Sequence, residues 1–182
     1  MAALYYLFFT DAEFTSQEKL FVFFQVLVVT VLVPSLVFLL LKTAGTIDSV
    51  MLAKVSQRKI PLLIHCFLLI LLVKKSIVIE RYPELHFFLL AALLSSLLAL
   101  ILTFANIKAS LHMISISSLT VFVIGLTLHF QNPNTILIAV LILLNGFVAT
   151  SRLEMKAHTN RELILGFVLG AIPQLLLLIL WL

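Results

Sequence analysis

Residues 85–105 read LHFFLLAALLSSLLALILTFA, an apolar run that contains no Asp, Glu, Lys or Arg. An α-helix needs about 20 predominantly apolar residues to cross the roughly 30 Å of hydrocarbon in a bilayer. Inside that hydrocarbon there is no water to bond the backbone, so the segment must satisfy its own N–H and C=O groups as a helix. The run therefore predicts a transmembrane helix, and this prediction decides the fold class.

The rest of the chain is also strongly apolar. Its 182 residues are 63% hydrophobic and 11% charged, with a mean hydropathy of +1.23, whereas soluble domains carry about 25% charged residues. Six apolar runs are predicted to span the membrane: 20–41, 60–79, 85–105, 112–130, 134–150 and 163–182. The sequence thus predicts an all-α polytopic integral membrane protein, with six transmembrane helices in one bundle over residues 20–182 and no soluble domain.

Three local features refine this prediction. Residues 1–19 lack the basic region and the cleavage site of a signal peptide, so we expect an aromatic-rich interfacial segment along the headgroups. Lys74 and Lys75 interrupt the second run, which makes it the weakest span and offers an early end for its helix. Pro34 and Pro173 fall inside the first and last runs and are expected to kink them.

The alternation of spans places three polar connections on one side of the membrane. These connections are residues 42–61, 106–112 and 151–162, and they hold eight of the twelve basic residues. They also hold His112 and His158. The topology therefore predicts that three cationic segments, distant in sequence, meet at one membrane boundary.

The third segment carries the sharpest chemical pattern. His158 and Glu162 are four residues apart, so they share one helical face. The carboxylate can accept from one ring nitrogen and leave the other as a nucleophile or base. Arg152 can present its planar guanidinium to phosphate oxygens. This combination predicts a histidine oriented by an acid beside an anion-binding cation.

The other two segments add further cations and a second histidine. Lys54 and Arg58 are four residues apart, and Lys108, Ser110 and His112 alternate a cation, a hydroxyl and an imidazole. Two histidines with fixed cations and no carboxylate cluster fit metal-independent phosphoryl transfer, in which stabilisation of the phosphoryl oxygens dominates. No metal and no cofactor are therefore expected.

The stretch SRLEMKAHTNRE, residues 151–162, fits the pattern SRxxxxxHxxx(D/E). It resembles the third signature of the type 2 phosphatidic acid phosphatase family, membrane phosphatases related to the vanadium haloperoxidases. The family's other signatures are KxxxxxxRP and PSGH, in this chain order. The stretch KASLH keeps the Ser110-x-His112 spacing of PSGH, with Ala109 and Leu111 in place of its proline and glycine.

The first signature is represented by KVSQRKIP. Here Lys54, Arg58 and Pro61 stand in the family's order, with the arginine three residues before the proline instead of next to it. The family core has six spans with all three signatures on one face. The resemblance covers the chain from about residue 40 to its end.

The resemblance implies a mechanism. By similarity, His158 attacks phosphorus and becomes a phosphohistidine, Glu162 orients it, and His112 protonates the departing alcohol and later activates water. The groups that hold the phosphate oxygens would be Arg152, Arg58, Ser110 and Lys54, and Lys108 is added to them on charge alone. The implied activity is that of an integral membrane lipid phosphatase acting on a phosphomonoester or diphosphate of a lipid.

Two alternatives to hydrolysis stay open. The first is a catalytically impaired family member that binds or moves phospholipid. The second is a non-enzymatic membrane subunit whose charges merely lie on the wet surface. For the enzyme, the candidate substrates are phosphatidate, phosphatidylglycerophosphate and polyprenyl phosphates or diphosphates.

The expected partners are the lipid bilayer and a membrane lipid phosphate, with no nucleic acid. We expect a multi-pass protein of the plasma (inner) membrane. The positive-inside rule would place the motif-bearing face in the cytoplasm. Without the four candidate phosphate-binding cations, however, four basic residues remain on each side. The orientation of the site therefore stays open, as does the oligomeric state.

The remaining polar and small residues in the spans are interpreted as interfacial or packing residues: His65, His86, His129, Asn145, Gly166 and Gly170. A hydrogen bond between helices is expected for Asn145, and the two glycines, four residues apart, predict a close helix contact.

Overall fold

The fold is described from a computed structural model, which covers residues 1–10, 14–47, 55–131 and 134–182. The α-helices are α1 (Ala2–Phe9), α2 (Ser16–Leu27), α3 (Val33–Thr43), α4 (Lys59–Lys75), α5 (Pro83–Phe104), α6 (Leu111–His129), α7 (Thr135–Glu154) and α8 (Asn160–Leu178). A π-helical turn at Val28–Leu32 joins α2 to α3, and a 3₁₀ turn at Val55–Arg58 leads into α4.

Six helical segments in the described chain are long and apolar enough to cross a membrane. They are Ser16–Thr43, Val55–Lys75, Pro83–Phe104, Leu111–His129, Thr135–Glu154 and Asn160–Leu178. The predicted all-α, six-span bundle is confirmed, and the chain is a multi-pass membrane protein. The second span differs from the expected range because its helix ends at Lys75 and not at residue 79. Lysines in a last helical turn complement the negative end of the helix dipole, which favours this end point.

The first span accommodates Pro34 through a local change from α-helix to π-helix. The N–H of Val33 donates to the carbonyl oxygen of Val28, five residues earlier. Pro34 has no N–H to continue the α-helical pattern and would crowd the carbonyl oxygen of Thr30. The wider π turn lies immediately before that position, and such turns are a known cause of helix bends.

The centre of the bundle is α6, which packs most extensively against α8. A Cβ added to Gly166 would lie 2.6 Å from the carbonyl oxygen of Ser110, and one added to Gly170 would collide with the hydroxyl of Ser117. The hydroxyl of Ser118 donates to the carbonyl oxygen of Gly170 at 3.0 Å. The predicted close contact through the glycine stripe is therefore confirmed.

The N-terminal helix α1 buries one face in the bundle. Ala2, Ala3, Tyr6 and Leu7 are each at most 7% exposed, and α1 contacts α2, α5 and α6. The headgroup position expected for residues 1–19 stays a prediction. What the structure adds is that this segment helps to close the bundle interior.

The bundle has two polar ends. The motif end is formed by residues 55–58, 106–110 and 155–159, and the distal end by residues 76–82 and 130–131. Asn145 lies between them on α7, where its amide donates to the hydroxyl of Thr120 on α6 at 2.7 Å. This bond confirms the expected link between helices.

Candidate functional site

The three polar segments of the motif end are joined by direct hydrogen bonds. Arg58, only 6% exposed, donates from Nη1 to the carbonyl oxygen of Ala109 at 3.0 Å. Lys108 donates from Nζ to the carbonyl oxygen of Ala157 at 2.5 Å. The first segment is thus tied to the second, and the second to the third, so the predicted meeting of the segments is observed.

The imidazole of His158 is oriented by Glu162. Its Nδ1 lies 2.7 Å from Oε2 of the carboxylate, and the side chain is 5% exposed. A carboxylate can only accept, so Nδ1 carries the proton and Nε2 keeps its lone pair. Burial lowers the pKa of His158, Lys108 and Arg58 lower it further, and the bond to Glu162 acts in the opposite direction. The net shift favours a neutral ring, whose Nε2 is a nucleophile.

Glu162 is itself held by the start of α8. Its backbone N–H donates to the hydroxyl of Thr159 at 3.4 Å, and the N–H of Thr159 donates back to Oε2 at 3.3 Å. This reciprocal capping box satisfies two backbone donors at the helix terminus. The ammonium of Lys108 lies 3.9 Å from the same carboxylate oxygen. The sequence carries the signature Thr-x-x-Glu for this cap, so the carboxylate has a structural task in addition to orienting the imidazole.

The second histidine lies near two arginines. His112 is the second residue of α6, and the positive charges of Arg152 and Arg58 act on its imidazole. Among the described residues, the buried Nε of Arg152 has no hydrogen-bond partner. An unpaired guanidinium N–H beside an imidazole is an available donor for an anion.

Ser110 has a structural role in addition to the one that the resemblance implies. It is fully buried, and its hydroxyl accepts from the N–H of Met113 at 3.4 Å as the N-cap of α6. Its backbone N–H donates to the carbonyl oxygen of Glu162 at 3.2 Å. Ser110 thus fixes the start of α6 near His112, and the phosphate contact that the resemblance implies for its hydroxyl stays a prediction.

Of the two lysines of the predicted site, the structure describes only Lys108. Lys108 belongs to the cluster, although its ammonium is engaged by a backbone carbonyl and lies near Glu162. Lys54 lies outside the described residues. The groups that the structure brings together are His158, Glu162, His112, Arg58, Arg152 and Lys108.

Two apolar clefts lead away from this cluster. The larger has a volume of about 800 Å³ and includes His112, and the smaller has a volume of about 270 Å³ and includes Arg58. His65 lines both, which the sequence pattern does not predict. The sequence signal that points to the cluster is its position two helical turns after Arg58, the N-cap of α4.

The chain matches no family model, no curated protein and no solved structure. The chemistry of the motif end therefore rests on the geometry described above.

The distal end has a polar network that the sequence did not reveal. Glu84, 6% exposed, accepts from the hydroxyl of Tyr6 at 2.7 Å and lies 3.3 Å from Nε2 of His129. His86 also lies at this end, with Nδ1 2.6 Å from the carbonyl oxygen of Ile77. Both histidines are thus far from the cluster along their helices, as expected for packing residues.

Proposed function

We propose that the protein is an integral membrane phosphatase that hydrolyses a phosphomonoester or diphosphate of a lipid. The observation that carries the proposal is the 2.7 Å contact of His158 with Glu162, at the membrane end where Arg58 and Arg152 act on His112. An oriented neutral imidazole, a second histidine and fixed cations are the parts that metal-independent phosphoryl transfer requires. The resemblance of residues 151–162 to a lipid phosphatase signature supports the same reading.

The first chemical step transfers the phosphoryl group to the protein. The Nε2 lone pair of His158 forms a bond to phosphorus, and the bond from phosphorus to the lipid oxygen breaks. Protonated His112 gives its proton to that oxygen, so the lipid leaves as an alcohol, or as a phosphomonoester when the substrate is a diphosphate. Glu162 stabilises the positive charge that develops on the attacking ring.

The second step releases phosphate. Neutral His112 takes a proton from water, and the water oxygen bonds to phosphorus. The nitrogen–phosphorus bond breaks, and its electron pair returns to Nε2 of His158. Inorganic phosphate leaves, and both histidines are back in their starting protonation states.

The cations supply charge stabilisation during both steps. Arg152 has the buried unpaired Nε, and its fork suits the oxygens of a phosphoryl group. Arg58 and Lys108 add positive charge at the same boundary, where low dielectric strengthens the interaction. We assign Lys108 the further task of fixing the position of Glu162, because their charged atoms lie 3.9 Å apart.

One observation favours a second candidate function, lipid-phosphate binding without turnover. Ser110 is a fully buried helix cap and one donor of Lys108 bonds to a backbone carbonyl, so both residues offer less to a phosphate than the sequence predicts. A site with fewer transition-state donors binds its ligand but accelerates the reaction less. Release of phosphate decides between the two candidates.

The test is a phosphate-release assay with the purified protein in mixed micelles, with chelator present. Lipid phosphates of several backbones are offered, and wild type is compared with His158→Gln and with His86→Gln, a histidine at the distal end. We expect release by wild type and His86→Gln and none above background by His158→Gln. Wild-type protein that binds the lipids without releasing phosphate would establish the second candidate.

A labelled phosphate group tests whether His158 becomes phosphorylated during turnover. During turnover of a labelled lipid, rapid quenching should trap an acid-labile phosphate on wild-type protein and none on His158→Gln. Full activity of His158→Gln would remove the nucleophile from the proposal. If wild-type protein neither releases phosphate nor binds the lipids, and the joint change of His112 and His158 leaves the folded protein intact, the third reading, a non-enzymatic subunit, is the correct one.

A further inference from the structure

The larger cleft extends along most of the length of the bundle. Its lining includes Leu111 and His112, the first two residues of α6 at the motif end, and Leu85, near the start of α5 at the distal end. Leu85 is separated from Phe104, where α5 ends just before the motif end, by about 28 Å at the rise of an α-helix. This length is close to the hydrocarbon thickness of a bilayer. The cleft therefore begins beside the cationic cluster and approaches the opposite membrane boundary.

The distal part of this cleft is lined by the N-terminal helix. Ala2, Ala3 and Leu4 of α1 belong to the lining. Tyr6, about one turn further along α1, donates to Glu84, the second residue of α5. This bond fixes α1 at the distal end of the bundle, so its first turn lies at the end of the cleft that is remote from the cluster.

The helix α1 is firmly packed in this position. Tyr6 and Leu7 are each at most 1% exposed. The ring of Phe8 packs edge to face on the ring of Phe23 in α2, with centroids 6.2 Å apart, and Phe23 also lines the cleft. A closely packed wall yields little when a side chain or a ligand is too large for the space beside it. The first turn of α1 is thus a fixed limit to the cleft.

The cationic cluster determines which part of a ligand enters the cleft. His112 lines its near end, and the positive charges of Arg58 and Arg152 act on this imidazole. Most of the other lining side chains are apolar. An amphiphile whose anionic group lies at the cluster therefore places its apolar chain in the cleft, with the end of the chain directed towards α1.

We infer that α1 limits the length of the apolar chain that the site accepts, and that Ala3 and Leu4 are the residues that determine this specificity. The inference rests on the proposed function for the anionic end of the ligand, and it concerns the length of one chain. A larger side chain at position 3 shortens the space available to the chain. A smaller side chain at position 4 lengthens it.

The test is a binding titration with a homologous series of straight-chain alkyl phosphonates, which have an anionic head and cannot be hydrolysed as esters. The protein is held in mixed micelles at a constant mole fraction of ligand. A micelle interior is as apolar as the cleft, so a longer chain adds little net driving force, and a length limit appears as a fall in affinity. Wild type is compared with Ala3→Leu, Leu4→Ala and the control Phe9→Leu. Phe9 is on the same helix and 62% exposed.

We expect wild-type affinity to be nearly constant up to a limiting chain length and to fall about fivefold or more beyond it, the effect of mild overpacking. Ala3→Leu should lower this limit and Leu4→Ala should raise it. Each shift should be at most roughly three carbons, the difference between the two side chains. Phe9→Leu should match wild type.

The opposite directions of the two shifts exclude a general loss of stability as their cause. Equal weakening at all chain lengths, with an unchanged limit in both variants, would show a purely structural role for α1 and overturn the inference. Wild-type affinity that does not fall at any chain length would overturn it as well.

Phosphate release from the matching alkyl phosphates separates this inference from the proposed hydrolysis. A length limit in binding that moves as expected in the two variants, without phosphate release, would reject the hydrolysis and retain the role of α1. Release without a length limit would reject the role of α1 and retain the hydrolysis. Absence of both binding and release would overturn both.

Discussion

The backbone N–H of Ser110 donates to the carbonyl oxygen of Glu162, at 3.2 Å. This bond joins the N-terminus of α6 to the first turn of α8, and the close approach is possible because Gly166 lies against Ser110 without a side chain. His112 and His158 are attached to these two helix ends. The helix contact therefore fixes the relative position of the two histidines that the proposed mechanism needs.

The pH dependence of activity follows from the state of His158. Burial lowers the pKa of this imidazole, so the neutral form dominates above about 6.5. The nucleophile is then present at high pH and is lost as the pH falls through the lowered pKa. We expect the acidic midpoint of kcat/KM to lie below about 6.5, measured by phosphate release across pH. A midpoint well above that value would contradict the assignment.

Glu162→Gln should test the action of the carboxylate on His158 without disturbing the start of α8. Gln can replace Glu in a capping box, so the variant keeps the start of α8, but it loses the charge that stabilises the ring cation. We expect kcat to fall roughly 100-fold, the order of magnitude that a misplaced catalytic group costs. The acidic midpoint should also move to lower pH, because Glu162 acts to raise the pKa of His158. An unchanged midpoint would show that the carboxylate does not act on His158.

Arg152→Lys tests the unpaired guanidinium. Lysine keeps the charge but cannot offer the planar fork, so contacts to phosphate oxygens are lost while the field at His112 is largely kept. A hydrogen bond between charged groups contributes about 1.5–3 kcal/mol, which predicts at least a tenfold loss in affinity for a non-hydrolysable phosphonate analogue of a lipid phosphate. Affinity equal to wild type would place Arg152 outside the phosphate site.

Gly166→Ala tests the contact between α6 and α8. The added methyl group would meet the Ser110 carbonyl, and overpacking of this kind destabilises by about 1–3 kcal/mol. Gly146→Ala is the matched control because nothing lies within 4 Å of its added Cβ. Replacing that helical glycine should stabilise by up to about 1 kcal/mol. Unfolding in detergent measures both changes, and equal effects would contradict the packing described for this interface.

Tyr6→Phe tests the distal network. Burial and Glu84 raise the pKa of Tyr6, so its hydroxyl remains a donor to the carboxylate at all ordinary pH values. Removing it leaves the buried Glu84 short of one partner, at an expected cost of about 1–3 kcal/mol in the free energy of unfolding. Tyr5→Phe is the control, because the Tyr5 ring stacks on Phe9 and keeps that contact without the hydroxyl. A larger effect at Tyr5 than at Tyr6 would rule out the network as the anchor of α1.

The sequence alone determined the fold class, the six spans and the membrane end at which the polar segments meet. These properties are local or nearly so: a run of apolar residues must be helical in hydrocarbon, and successive spans must alternate in direction. The pairing of His158 with Glu162 was also predictable, because residues four apart share a helical face. Lys54 stays a sequence prediction, since the described residues do not include it.

Only the tertiary structure decided which side chains of different helices occupy the same space. It made Ser110 a buried cap, placed His65 in the lining of two apolar clefts, and joined Tyr6 to Glu84 across 78 positions of sequence. Hydropathy does not report the rotation of one helix against another. That rotation is set by close packing of small and large side chains at contacts such as Gly166 against Ser110, far apart along the chain.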